Sequence, residues 1–345
     1  MPNHAEPKKI LVVGPSWVGD MVLAQVLFMA LRQHDPNVII DVLAPQWTLP
    51  ILRRMVEVRE AIAAPFAHGE LALQKRWRLG RRLRGQRYDH AIVLPNSFKS
   101  ALVPFFAGIP RRTGFRGEMR FGLLNDIRKL DVDRMPRMVD RFLALGDETK
   151  AKPLHPHLSS DATTGRRLLD RLGLNRMRPV AALCVGAEFG PAKRWPAEHF
   201  AALARHLTTM GWQCWLVGSE KDKAIADGVL QAEPGVAVNL CGATSLDEAV
   251  DLLASADAIV ANDSGLMHVA AALDKPLIAL YGSSSPAFTP PLSSHARIMK
   301  REIVCSPCFA RECPLGHFKC MRELMPSDVA DAIAAAHAEA HRTPH

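Results

Sequence analysis

The run Asn262-Asp263-Ser264-Gly265-Leu266-Met267-His268 gathers a carboxamide, a carboxylate, a hydroxyl and an imidazole where an apolar stretch, 257–261, gives way to a helix-like one. In an α/β protein this is the strand-to-helix turn against which nucleotide ligands sit. Ser264 and Gly265 are small enough for a ligand to reach the backbone, and the first-turn N–H groups offer an anion a partly positive helix end. Asp263 alone would be explained as a helix cap. A cap does not require Asn262, Ser264 and His268 as well, so the turn predicts a ligand site.

Two further turns have the same placement. Gly14-Pro15-Ser16-Trp17-Val18-Gly19-Asp20 follows the first apolar run, and Asp20 is either a general base for a substrate hydroxyl or a first-turn acid favoured by the helix dipole. Gly186-Ala187-Glu188-Phe189-Gly190-Pro191-Ala192-Lys193-Arg194-Trp195-Pro196 puts Lys193 just before a helix that Pro196 can open. A lysine there suits a phosphate, or a leaving diphosphate whose charge grows as the bond breaks. Neither turn has the G-x-G-x-x-G spacing or the Walker lysine, which counts against a dehydrogenase and a P-loop enzyme. Asp131-Val132-Asp133 has the form of a metal-binding D-x-D but lacks a buried strand before it and reads as surface.

These turns need a scaffold of alternating strands and helices. A strand at 9–14, a helix from Val18, a strand at 38–43 and another at 91–94 make up the first half, with Asn96 or Ser97 able to cap the helix that follows. The second half runs strand 180–185, helix 197–209, strand 213–217, helix 221–230, strand 236–240, a helix at 246–254 opened by a Ser245/Glu248 capping box, then strands at 257–261 and 276–281. Between Gly146 and Pro179 the pattern weakens, and Pro153, His155, Pro156 and His157 mark an extended connector. The expected division is 1–150, a linker region at 151–178, and 179–345. Two βαβ-rich halves predict parallel sheets with a ligand cleft between them. No sequence repeat relates the halves.

The 345 residues carry a formal charge of +8 and are 48% hydrophobic, enough for two ordinary cores. No apolar run nears the roughly 20 residues of a membrane span, and the polar first residues do not resemble a secretory signal; a cytoplasmic protein is expected. Positive charge concentrates in seven basic residues between Lys75 and Arg87, without one acid, and in Arg111, Arg112, Arg116 and Arg120. This reads as a solvated helix face or as a surface for phosphorylated lipid, membrane or nucleic acid. Two tyrosines and no interleaved aromatic-basic strand argue against nucleic acid. Cys184, Cys214 and Cys241 lie in apolar runs and should be buried thiols. Cys305, Cys308, Cys313 and Cys320, spaced C-x2-C-x4-C-x6-C, read as a structural zinc site, free thiols or oxidised pairs.

The three turns, with Pro95-Asn96-Ser97-Phe98-Lys99-Ser100, resemble the bacterial lipopolysaccharide heptosyltransferases in order and over most of the chain, from about residue 9 to 336. The match is to the branch that adds the second heptose; the branch adding the first has a different loop before its acidic residue and lacks the Phe189-Gly190-Pro191-Ala192 stretch. The resemblance implies a GT-B fold with an acceptor-binding first domain and a donor-binding second one. It implies inverting transfer from ADP-L-glycero-β-D-manno-heptose to the heptose of heptosyl-Kdo2-lipid A, at the cytoplasmic face of the inner membrane. It implies no required cofactor and no catalytic metal, and, because some members lack the cysteine cluster, no catalytic part for it. By motif, Asp20 would be the general base and Lys193 would stabilise the diphosphate. Ser16, Gly186, Glu188, Thr244, Asp263, Ser264, Gly265 and His268 would serve the donor. Asn96, Ser97, Lys99, Arg112, Arg116 and Arg120 are candidates for the acceptor's phosphates and carboxylates. The alternatives are the first transferase, acting on Kdo2-lipid A itself, and a two-domain dehydrogenase.

Overall fold

The computed structural model describes residues 6–67, 69–146 and 154–340. The chain divides into two compact units, Met1–Pro156 and His157–His345. In the first, the order is β1 (Lys9–Val13), α1 (Val18–His34), β2 (Ile39–Pro45), α2 (Leu49–Leu52), β3 (Val58–Ala64), α3 (Leu73–Leu83), β4 (His90–Val93), α4 (Leu102–Ala107), β5 (Arg111–Phe115), β6 (Asp126–Arg128) and α5 (Met138–Leu145). All its strand pairs are parallel, in the order β3-β2-β1-β4-β5-β6. Central β1 buries Ile10, Leu11 and Val12, as a strand covered on both faces must.

The second unit contains α6 (Ala162–Arg171), β7 (Val180–Cys184), α7 (Ala197–Thr209), β8 (Gln213–Val217), α8 (Lys223–Ala232), β9 (Val238–Asn239), α9 (Leu246–Ala254), β10 (Ala258–Asn262), α10 (Gly265–Ala272), β11 (Leu277–Tyr281), β12 (Ala296–Lys300), α11 (Lys319–Arg322) and α12 (Pro326–Ala340). Its sheet, also parallel, runs β12-β11-β10-β7-β8-β9. Counted within the unit from the opposite edge, that is third, second, first, fourth, fifth, sixth, the same order as in the first unit. Both units are therefore Rossmann-like. Each has a switch point where neighbouring strands send their crossovers in opposite directions, β1/β4 in one and β7/β10 in the other, and ligands of open α/β sheets bind at the carboxyl ends there. The expected capping box opens α9: Ser245 N–H donates to Glu248 Oε2 at 2.8 Å and Glu248 N–H to Ser245 Oγ at 3.3 Å.

The connector differs from expectation. Residues 151–153 of the expected linker lie outside the described residues, whereas 157–178 folds onto the second unit. Leu158 N–H bonds the Ala272 carbonyl at 2.9 Å, Asp161 N–H bonds Asp251 Oδ1 at 2.9 Å, and Asp161 caps α6 through Thr163 N–H. Among the described residues no helix is long and apolar enough to cross a membrane.

Candidate active site

In the second unit, the switch point brings together the loop after β7 and the turn after β10. Asn262, fully buried at the end of β10, fixes one to the other: its Oδ1 accepts from Trp195 N–H at 3.0 Å and its Nδ2 donates to the Val185 carbonyl at 2.9 Å. Lys193 is thereby set against Asp263, Nζ to Oδ2 at 2.5 Å, with the two side chains 16% and 4% exposed. Ser284 Oγ, just beyond β11, donates to the same carboxylate oxygen. The carboxylate is thus committed to Lys193 and Ser284, and the cap explanation for Asp263 fails. The N-cap of α10 is Ser264, whose side chain makes no capping bond. Ser264 and Gly265 are half-buried at the helix mouth.

His268 lies one turn into α10, 5% exposed. Burial pushes its imidazole down to about 4, with Asp263 opposing and Lys193 reinforcing the shift, so the ring is neutral at pH 7. Its Nδ1 is buried without a hydrogen-bond partner. The Lys193 ammonium stands 4.9 Å from the Phe189 ring centre, and the Arg311 guanidinium 5.4 Å from the same ring. The 301–318 segment supports this loop from behind: Ala192 N–H bonds the Arg311 carbonyl at 3.0 Å, and a Cβ on Gly190 would come within 2.4 Å of that oxygen. Gly186 is required for a similar reason, since a Cβ there would meet the Asp222 carboxylate at 2.4 Å. Glu188 turns outward to Lys221 at 2.6 Å, and Thr244 is half-buried one residue before the α9 cap.

The first unit's switch point is a cavity of about 540 Å³. Gly14 and Ser16 from the turn after β1 line it, with Asn96, Ser97 and Lys99 from the loop after β4; Trp47, Phe66, Leu71 and Phe98 supply apolar wall. Ser16, expected among the donor residues, lines this first-unit cavity, and its carbonyl accepts from Trp47 Nε1 at 2.9 Å. Ser97 occupies an N-cap position but makes no side-chain capping bond. Asp20 is half-buried in the first turn of α1.

The basic candidates separate. Arg120, 2% exposed, spends its guanidinium on the carbonyls of Pro95 (2.7 Å) and Phe115 and on Asn96 Oδ1 (3.3 Å), which removes it from the surface and makes it the brace of the cavity loop. Arg112 donates to the carbonyls of Leu123 (2.6 Å) and Ile109 (2.5 Å). Arg116 is exposed and lines a neighbouring cavity of about 170 Å³. Arg76, which charge alone grouped with a solvated face, is buried 3.6 Å from the Phe66 ring centre and bonds the Leu71, Glu70 and Lys99 carbonyls. Its spacing to Leu79 and Leu83 along the helix was the available signal. Ser284 was missed too, although its place after an apolar strand is the one that marked Asp263.

Cys184, Cys214 and Cys241 are buried thiols, and burial raises all three, the latter two to about 12. Cys305, Cys308, Cys313 and Cys320 are also free. Among the described residues no group of three or more His, Cys, Asp or Glu is arranged to hold a metal, so the zinc reading is unsupported. The four thiols differ in surroundings: Cys308 is exposed, Cys320 is buried, and Cys313 Sγ accepts from Phe318 N–H at 3.4 Å. Asp131 and Asp133 are exposed, and Asp131 Oδ1 accepts from Asp133 and Arg134 N–H groups in a local turn.

Residues 76–319 match the family described as glycosyltransferase family 9 (heptosyltransferase). The chain is 52% identical over 305 residues to lipopolysaccharide heptosyltransferase 2 of Escherichia coli K12, covering 85% of this chain and 88% of that protein. It is 49% identical over 306 residues to lipooligosaccharide heptosyltransferase 2 of Haemophilus influenzae, covering 84% and 88%. Among solved structures it is similar to the ADP-heptose LPS heptosyltransferase II of E. coli, with a TM-score of 0.87 and 46% identity over 96% of this chain and 99% of that one.

Proposed function

The chain belongs to glycosyltransferase family 9, the heptosyltransferases, and from this premise we propose that it moves L-glycero-D-manno-heptose from ADP-heptose to the first heptose of a lipid A-linked inner core. It is a glycosyltransferase with the GT-B fold. The observation that carries the donor reading is the Lys193–Asp263–Ser284 cluster beside the side-chain-uncapped start of α10. Lys193 has three N–H donors, and Asp263 occupies one. The other two, with the first N–H groups of α10, suit a diphosphate that gains charge as the anomeric C–O bond breaks. Neutral His268 accompanies them without adding a competing charge.

Asp20 takes the part of general base. It removes the proton from the acceptor hydroxyl while that oxygen attacks the anomeric carbon from the face opposite the departing ADP, which inverts the configuration. In this reading Lys193 and α10 supply the positive charge, with no metal or organic cofactor. The cavity lined by Ser16, Asn96, Ser97 and Lys99 receives the acceptor, and Arg116 faces its anionic groups. Because that acceptor is anchored in lipid, the enzyme works from the cytoplasm at the inner-membrane face.

The test is incubation with ADP-heptose and either heptosyl-Kdo2-lipid A or Kdo2-lipid A, followed by mass spectrometry. One added heptose on the first acceptor alone is expected. Product on the second acceptor alone would make the protein the first transferase.

A further inference from the structure

The charge run in the first unit has a structure that its sequence did not disclose. Of the seven basic residues between 75 and 87, Arg76 turns inward; Lys75, Arg78, Arg81, Arg82, Arg84 and Arg87 are exposed. Lys75 reaches Glu70 at 3.1 Å, and Arg84 donates to the Phe106 carbonyl at 3.0 Å. The helix packs through Arg76, Leu79, Gly80 and Leu83, chiefly against α4, so its outward face is not used in folding the unit.

That face is not simply polar. Leu73 is 52% exposed and Trp77 46%, and with Arg81 they form one stripe at i, i+4 and i+8. The Arg81 guanidinium lies 5.4 Å from the Trp77 ring centre. Single exposed apolar residues are ordinary on a protein surface, but here two adjoin on one stripe among cations. An apolar-and-aromatic stripe flanked by cations is what lies in the headgroup layer of an anionic bilayer: the apolar side chains enter the acyl boundary, tryptophan stays at the interface, and the cations meet phosphates. Single-stranded nucleic acid would call for successive aromatic platforms along a groove. Here one tryptophan stands on a convex helix.

We propose that the outward face of α3, Leu73, Trp77, Arg78, Arg81 and Arg82, docks the protein on an anionic lipid surface. Leu71, just ahead of α3 and 51% exposed, also lines the 540 Å³ cavity, as does Arg76 within the helix. Docking through α3 therefore sets the cavity wall at headgroup level, where a lipid-anchored sugar acceptor presents its carbohydrate. Its purpose rests on the acceptor class proposed above; its geometry does not.

Sedimentation of the full chain with phosphatidylcholine vesicles, with and without phosphatidylglycerol, tests this. Binding to the mixed vesicles alone, weakened by salt, is expected. Each basic residue near such a surface contributes about fivefold, so R78Q/R81Q/R82Q should weaken binding on the order of 100-fold. Trp77→Ala should weaken it by about tenfold and leave the salt dependence intact. The triple variant should lose turnover on an acceptor embedded in mixed vesicles yet keep it on the same acceptor freed of acyl chains. Equal vesicle binding by variant and wild type would overturn the proposal. So would tighter wild-type binding to a single-stranded oligonucleotide than to mixed vesicles at the same salt, or an equal loss of turnover on the acyl-free acceptor, which would move these arginines into the acceptor site. If the wild-type protein binds mixed vesicles but transfers heptose to no acceptor, the proposed function falls while the docking surface stands.

Discussion

The two units share a strand order and place their sites at the same topological position, yet they equip it differently. At β1/β4 there is a roomy cavity with aromatic and aliphatic walls and polar groups on its loops. At β7/β10 there is a tight, largely buried cluster whose charged groups are already paired and tied by Asn262. The backbone topology fixes where a ligand can sit; side chains decide what kind. A wide apolar-walled cavity suits a large amphiphile, whereas preset charge suits a diphosphate, because oriented donors need no reorganisation as its charge grows.

This contrast predicts different signatures for substitutions in the two units. Lys193→Ala should have the largest effect, lowering kcat/KM about 1,000-fold and weakening ADP binding, both measurable by steady-state kinetics and calorimetry. It also leaves the buried Asp263 carboxylate without its cation, at about 3 kcal/mol in stability. Comparison with Lys193→Ala/Asp263→Asn, which removes the orphaned charge, separates that loss from the catalytic one. If Lys193→Ala changed only acceptor affinity, the assignment of tasks to the units would be reversed. Asp20→Ala should lower turnover about 100-fold while calorimetry finds ADP affinity unchanged. Retained turnover would remove Asp20 from the chemistry.

A smaller, pH-dependent difference belongs to the second unit. His268 is held neutral, its folded value about 4 lying below the unfolded value near 6.5. Between these values the unfolded chain binds the extra proton, so the stabilising contribution is complete above about 6.5 and is lost as pH falls toward 4. From pH 7 to pH 5 the second unit should lose about 2 kcal/mol, read by denaturant titration, and His268→Gln should flatten that slope. Within the first unit, Arg116→Gln should raise the acceptor KM about fivefold with no change in Tm. Arg120→Gln should instead lower Tm, because it strips the carbonyls of Pro95 and Phe115 of their donor.

How much was legible follows from how local each signal is. The helix at 246–254 and the strand at 213–217 were readable because a capping box and an apolar run lie within the segments themselves. The strands β3, β5 and β12 were not, since half-exposed sequences such as Arg111-Arg112-Thr113-Gly114-Phe115 become strands only by pairing with β4 and its like in an already formed sheet. The second-unit residues that the fold brings together, Lys193, Asn262 and Asp263, were legible because they lie in short turns after apolar strands. Ser284 and the bracing part of Arg120 escaped because Asp263 and Pro95 lie 21 and 25 residues away; Arg76 escaped because its charge outweighed a spacing to Leu79 and Leu83 that put it on the buried face.

By itself the sequence determined the alternation of strands and helices, the division into two βαβ-rich halves, and the turns carrying Asp20, Lys193 and Asp263, because periodicity and turn chemistry act over a few residues. Tertiary structure decided which charges those residues meet. Asp263 became the anchor of Lys193 and not a cap, and four cysteines with metal-like spacing are, among the described residues, not arranged as a metal-binding group. Of two arginines four positions apart, Arg116 stays in water while Arg120 is buried under a loop. Burial and hydrogen-bond partners are set by the packing of remote segments, and the same side chain is a ligand, a brace or a solvated charge according to what packing brings to it.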